Sequence, residues 1–505
     1  MARRTLACQP IRSSGRRVAP SRPRSCEPGP AHSEVSTLNA ATHLRLFRTS
    51  RNTPTARRPR RARLVWGAAA LLVAGAALPT AAAPTGGGNA DHNPRKARNV
   101  ILLIGDGMGD QEVTLARDYT VGAGGRLALD RFPATGKYTT YSVDSKGRPD
   151  YVTDSAASAS GWSTGRKTVN GRVSKTPDTD VAVPTVLELA RRKGLATGSV
   201  TTDELTGATP AAMASHVTER GCQGPADMAR CPRDTIGRGG PGSIAEQSVR
   251  LRPDVLLGGG RQRFDQRITE GPYRGLTVTQ QAEKQGYHVV TDERGLRAAG
   301  PDRPLLGLFS PDSLPVEWSG KRAAAGGTPP QRCVTNPARP AGTPTLAELA
   351  TKAIGLLEAR TKDRSGPDKG FFLQVEGASI DKQAHEADPC GQIGETAAFD
   401  RAVKAAQDYA ARHPDTLVVA TADHAHSTQI LPVDVNPPGL SATLVTDEGS
   451  RVKVGYSTTD TPQDGQEHTG TQVGISARGP NSDRVQGVTD QTELFTTITT
   501  ALGLR

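Results

Sequence analysis

The stretch RNVILLIGDGMG, residues 98–109, decides the fold. Its apolar run does not alternate with polar residues. That pattern reads as a strand buried on both faces, Asn99–Ile104, and it runs directly into a glycine-rich turn carrying Asp106. Two other stretches have the same build. FFLQVEGASIDKQAHE (371–386) puts Glu376, Asp381 and His385 behind an apolar run, and LVVATADHAHS (417–427) puts Asp423, His424 and His426 behind another.

Working outward, further strand signals fall at 196–202, 254–257, 288–290 and 305–309. Helical patterns fall between them at 183–193, 210–216, 242–250, 346–359, 391–413 and 492–502. Strand and helix alternate over the whole body, so the expected fold class is α/β: a three-layer sandwich around a large, mostly parallel sheet. The stretches 258–285, 310–343 and 432–470 read as loop-rich insertions. In such sheets ligands bind beyond the carboxyl ends of the strands. Three of the predicted strands end there in acidic or histidine-bearing turns.

Of 505 residues, 63 are Lys or Arg and 51 are Asp or Glu. The net charge of +12 invites a nucleic-acid reading, but its distribution removes it. Residues 1–63 hold 15 of the basic residues and only Glu27 and Glu34 as acids; the rest is almost neutral, 48 basic against 49 acidic. No polyanion partner is expected for the body. The basic segment, rich in Arg, Pro and Ser, reads as an unfolded extension over 1–63. After it comes the apolar run Leu64–Leu78 and then PTAAAPT. That run is short of the roughly 20 residues of a membrane span, and with its flanks it reads as a secretory signal over 64–84, cleaved within Thr80–Pro84. Residues 85–97 are a linker, and 98–505 form the body. The expected location is periplasmic or extracellular, without stable membrane insertion. Four cysteines follow the signal. Cys222 and Cys231 enclose a short loop and are expected to pair, leaving Cys333 with Cys390.

Each chemical signal has a plain structural reading beside it. Asp106 is either a turn aspartate capping a helix or a ligand. Asp381 and His385 are four apart, which on a helix puts them on one face: a solvated face, or a pair of metal ligands. Asp423 and His424 follow a fully apolar strand, where an unpaired charge is costly and a cation is the natural partner. His468, beside Glu467, adds a fourth histidine in an acidic setting. Mixed His/Asp sets suit zinc and all-oxygen sets suit magnesium. In YVTDSAASASGWSTG (151–165), Ser155 heads a run of small residues. It is either a helix cap or a hydroxyl placed for close approach by a substrate, and it lacks the G-x-S-x-G of a hydrolase elbow. A serine hydroxyl needs a base or a metal to attack.

Taken in order, IGDGMGD, TDSAASAS, WSTG, ATPAA, FFLQVEGASIDKQ, DPCGQIGET, TADHAH and QEHTG make the chain, from about Arg98 to Arg505, closely similar to the alkaline phosphatase family, in particular its enteric bacterial type. The resemblance implies hydrolysis of phosphate monoesters by a homodimer holding two zinc ions and one magnesium ion per chain, with inorganic phosphate as an inhibiting product. Ser155 would be the nucleophile that becomes phosphoserine, and Arg220 the clamp on phosphate. Asp381, His385 and His468 would hold one zinc; Asp106, Asp423 and His424 the other; Asp106, Thr209 and Glu376 the magnesium. His426 would support a ligand carboxylate. The enteric type carries an aspartate at the position of Gly207, in contact with the lysine matching Lys382. Its absence here implies weaker magnesium binding and a Lys382 free to approach phosphate. The rival readings are a phosphodiesterase or sulfatase of the same superfamily, and a non-catalytic scavenger of phosphate or metal.

Overall fold

The computed structural model describes residues 96–362, 370–459 and 465–504. The extension 1–63, the signal 64–84 and nearly all of the 85–97 linker lie outside the described residues.

The core is a ten-stranded sheet. Its strands, in chain order, are β1 (Asn99–Gly105), β2 (Ala134–Thr139), β3 (Ala196–Glu204), β4 (Val255–Gly259), β5 (His288–Val290), β6 (Leu305–Leu308), β7 (Phe371–Gly377), β8 (Thr416–Ala422), β9 (Val473–Arg478) and β10 (Gly487–Asp490). The spatial order is β10-β2-β9-β8-β1-β7-β3-β4-β6-β5. All neighbours pair in parallel except β9, which runs against both β8 and β2. The sheet is therefore mostly parallel, as the apolar runs predict. Every residue of β1, β3, β7 and β8 is buried. Helices cover these central strands on both faces, so an unalternating sequence is what the position demands. On one side the helices Leu346–Lys362 and Pro389–Arg412 pack together against the sheet; Ser155–Thr164, Val186–Arg192, Ala208–Ala214 and Glu493–Ala501 form the other group.

The insertions hold more regular structure than expected. The 432–470 stretch contains Leu440–Val445 and Arg451–Tyr456, two strands of a separate four-stranded antiparallel sheet. The 258–285 stretch holds the helices Arg261–Phe264 and Val278–Lys284, whose Phe264, Val278 and Ala282 join a smaller apolar cluster with Leu256 of β4 and Leu306 of β6. These elements are short and rich in polar residues, and their signals are correspondingly weak. Both disulfides form as expected, Cys222–Cys231 and Cys333–Cys390. The second ties the 310–343 insertion to the start of the Pro389–Arg412 helix. Among the described residues no helix is long and apolar enough to cross a membrane.

Register does the work of positioning. In β1, Ile104 stands opposite Glu376 and Thr421, and Gly105 opposite Gly377 and Ala422. Glu376 in turn faces Thr201 of β3. Three central strands, β1, β7 and β8, thus end at one level with β3 running a little further, and the residues that follow them emerge side by side.

Candidate active site

The first group of side chains sits where these strands end. Asp106 leaves β1, Glu376 closes β7 and Asp423 follows β8. Between them lies Gly107, with φ +65° and its N–H donating to Asp423 Oδ1 at 2.8 Å. A Cβ at Gly107 would lie 2.9 Å from the Asp381 backbone, so glycine is needed here for both conformation and space. The short helix Ser379–His385 begins just past β7 and presents Asp381 and His385 inward, their carboxylate and Nε2 3.4 Å apart. The one-face reading of that pair holds.

Histidines gather on Asp381. His426 Nε2 and His468 Nε2 both lie 3.3 Å from its Oδ1. His424 Nε2 lies 3.3 Å from Asp423 and 3.6 Å from Asp106. The loop bearing His468 is stitched in place by Gln466 N–H to the His385 carbonyl and Thr469 N–H to the Ala425 carbonyl. Three rings have Nδ1 against a backbone carbonyl: His385 on Gln466, His424 on Ala425 and His468 on Thr153. A nitrogen beside a carbonyl oxygen carries the hydrogen, so each ring turns its Nε2 toward the carboxylates.

Ser155 is the first residue of its helix; Asp154, not Ser155, is the cap, accepting from Ala157 N–H at 2.9 Å. All ten residues of that helix are buried, and all but Trp162 are small, which lets the helix pack closely against its neighbours. The hydroxyl of Ser155 lies 3.4 Å from His424 Nε2. Arg220 reaches back to the same cap, donating to Asp154 Oδ2 at 3.1 Å. Thr209, on the Ala208–Ala214 helix, lies beside Glu376. Every site residue expected from sequence is thus brought to one edge of the sheet.

The electrostatics call for positive charge. Burial, then the charges of Asp423, Asp381 and Glu376, push Asp106 well above the carboxylate range. Burial and Asp381 raise Asp423 to about 6, and burial and Asp203 raise Glu376 to about 8. Burial would raise Asp381 as well, but the imidazoles of His426, His468 and His385 outweigh it and hold it low. Burial opposes protonation of His468, yet Asp381 carries it up to about 9. Asp106 Oδ1, Asp381 Oδ1, Asp423 Oδ2 and His426 Nε2 are buried and make no hydrogen bond, meeting only the imidazole–carboxylate contacts of 3.3–3.6 Å given above. Crowded carboxylates and imidazoles so loosely matched suit a cation placed among them. Two groups can each close on one ion: Asp381, His385, His426 and His468, and Asp106, Asp381 and His424.

Two findings depart from the sequence reading. Lys382 is not free: its Nζ lies 3.1 Å from Asp203 Oδ1. Asp203, one residue beyond the expected end of its strand, was not among the residues singled out; an acid at a strand end beside the ATPAA motif was the available signal. Thr201 and Asp154 were missed too. Thr201 Oγ1 donates to Glu376 Oε2 at 2.5 Å.

The fold and this edge together define the class, an α/β sandwich with a candidate metal centre beyond the carboxyl ends of its strands. A family model described as alkaline phosphatase matches residues 97–446 and 443–504. The chain is 62% identical over 447 residues to a streptomycin-6-phosphate phosphatase of Streptomyces griseus, covering 88% of this chain and 98% of that protein. It is 49% identical over 423 residues to the alkaline phosphatase of Escherichia coli, covering 81% and 87%. Among solved structures, Thermus thermophilus alkaline phosphatase superposes with a TM-score of 0.61 at 23% identity, covering 85% of this chain and 96% of that one, a likeness of fold. The chain belongs to the alkaline phosphatase family and is a phosphoric monoester hydrolase.

Proposed function

We propose that the enzyme transfers the phosphoryl group of a monoester to Ser155 and then to water. The observation that carries this is the hydroxyl of Ser155, a residue 2% exposed, at a helix start and 3.4 Å from His424 Nε2, beside a buried cluster of carboxylates and imidazoles. Asp381, His385 and His468 would hold one zinc, Asp106, Asp423 and His424 a second, and Asp106, Thr209 and Glu376 a magnesium. When bound, such ions neutralise the attacking and leaving oxygens of an in-line displacement.

The chain's own residues do the rest. Ser155 forms its Oγ–P bond as the ester P–O bond breaks, and the alcohol leaves. Water then cleaves the phosphoserine, restoring the hydroxyl and releasing inorganic phosphate. Arg220, pinned by Asp154, would offer a planar fork to two phosphate oxygens and stabilise the charge spread over them in the transition state. His426, against Asp381 Oδ1, keeps that carboxylate in place. Little of this machinery touches the alcohol, so a broad range of monoesters is expected, with product phosphate as an inhibitor. The test is pre-steady-state: Ser155→Ala abolishes the burst of alcohol release, and a full burst in that variant refutes the assignment.

A second reading concerns the substrate. The 62% relative is named for streptomycin-6-phosphate and is spanned almost end to end. Comparing kcat/KM for streptomycin-6-phosphate, a simple aryl phosphate, an aryl diester and an aryl sulfate separates an antibiotic-phosphate specialist from a general monoesterase, a diesterase or a sulfatase. Export across a membrane, supported by the two disulfides, is tested by the N-terminal sequence of the protein recovered outside the cytoplasm.

A further inference from the structure

Lys382 carries a positive charge into a pocket that also has to hold cations, and something must fix where it goes. We propose that Asp203 is the positioning residue that holds Lys382 in place and completes the magnesium site, and that Gly207 is glycine to make room for it. The proposal rests on the phosphatase reading above.

Three observations support it. Asp203 Oδ1 is held twice, by Lys382 Nζ at 3.1 Å and by Ser313 Oγ at 2.7 Å. Its backbone N–H donates to Thr201 Oγ1 at 2.8 Å, and that hydroxyl donates on to Glu376. The backbone of Asp203 is thus two hydrogen bonds, through the Thr201 hydroxyl, from a candidate magnesium ligand. Second, the register between β3 and β4 shifts between Val200 and Glu204. Such an irregularity turns a side chain out of the regular alternation, and irregularities of this kind favour active-site edges. Third, Gly207 has φ −60°, a value open to any residue, so conformation does not require glycine. Space does: a Cβ there would stand 2.3 Å from Asp203 Oδ2 and 2.9 Å from its Cγ. The carboxylate of Asp203 fills the volume that a side chain at 207 would need. One acid serves the site, supplied from the strand end rather than from the helix start.

The test is an exchange on the full mature chain: wild type, Asp203→Asn, Gly207→Asp, Asp203→Gly, and Asp203→Gly combined with Gly207→Asp. Magnesium retained after passage through magnesium-free buffer is measured by mass spectrometry, and the inhibition constant of inorganic phosphate is measured on the zinc-loaded enzymes. Asp203→Asn is expected to weaken magnesium retention roughly tenfold or more and to tighten phosphate inhibition several-fold as Lys382 swings toward the anion. The exchange variant is expected to regain both properties. Melting of the metal-free proteins gives an independent readout: Gly207→Asp destabilises strongly with Asp203 present and little once residue 203 is glycine. Unchanged magnesium retention and phosphate inhibition in Asp203→Asn, or strictly additive effects in the exchange, overturn the proposal. A wild type that turns over no monoester overturns the phosphatase reading instead, and the melting cycle still decides whether 203 and 207 are coupled.

Discussion

His385 Nε2 stands 3.1 Å from His468 Nε2, with Asp381 within reach of both. Each ring gives its Nδ1 hydrogen to a backbone carbonyl. Two ring nitrogens turned toward each other, with their other sides satisfied, need a positive charge between them. A set of imidazoles and carboxylates suits a borderline-soft cation such as zinc.

Chelation is therefore expected to abolish activity, and zinc to restore it more fully than magnesium alone. His468→Ala should need far more zinc for the same recovery. Activity indifferent to chelator would remove the cation from the account.

Asp154 links the start of the serine helix to Arg220, the proposed phosphate clamp. One carboxylate oxygen caps the serine helix, and the other receives Arg220 and the Gly171 N–H. Asp154→Ala is expected to lower stability by about 1 kcal/mol for the lost cap and to raise KM as Arg220 loses its anchor. Arg220→Lys should raise KM while leaving thermal stability near wild type, because lysine lacks the planar fork. A KM unchanged in both variants would argue against the clamp.

Gly107 leaves no room for a side chain. Alanine there would combine a left-handed backbone with a Cβ pressed on Asp381, a strain of order 1–3 kcal/mol. Gly107→Ala is expected to lower the melting temperature and to weaken zinc retention together. Normal zinc content in a folded Gly107→Ala protein would contradict the close packing of these two turns.

Glu112, 1% exposed, is raised by burial to about 7, above its ordinary value of 4.5. A carboxyl raised in the folded state gives its stability fully below its unfolded pKa and loses it as pH rises through the folded one. The folded protein should lose on the order of 3 kcal/mol from this group between about pH 4.5 and 7. Glu112→Gln, which keeps the shape without the charge, is expected to raise the melting temperature at pH 8 and to change it little at pH 4.5. Denaturation curves at the two pH values check the sign.

Much of this was legible in the chain because the central strands are buried on both faces. Burial on both faces writes an unbroken apolar run, and the acidic turns after those runs could be read as one edge. Asp381 and His385 were legible because a helical spacing of four carries its own geometry. Asp203 was not, because its role comes from a strand irregularity and from the absence of a side chain at Gly207, neither of which has a sequence period. The 432–470 stretch reads as a loop-rich insertion although Arg451–Tyr456 alternates exposed and buried at its start; glycine, serine and threonine around it mask a signal only six residues long. The carbonyls that orient the histidines, from Thr153, Ala425 and Gln466, belong to the backbone and leave no trace in residue identity.

The central claim is that Ser155 carries the phosphoryl group. Quenching zinc-loaded enzyme in acid during turnover of a monoester, then mapping phosphate by peptide mass spectrometry, tests it directly. Phosphate on the peptide containing Ser155, absent from Ser155→Ala, is the predicted result. An active enzyme with no phosphate on that peptide, or with phosphate on another residue, would contradict it.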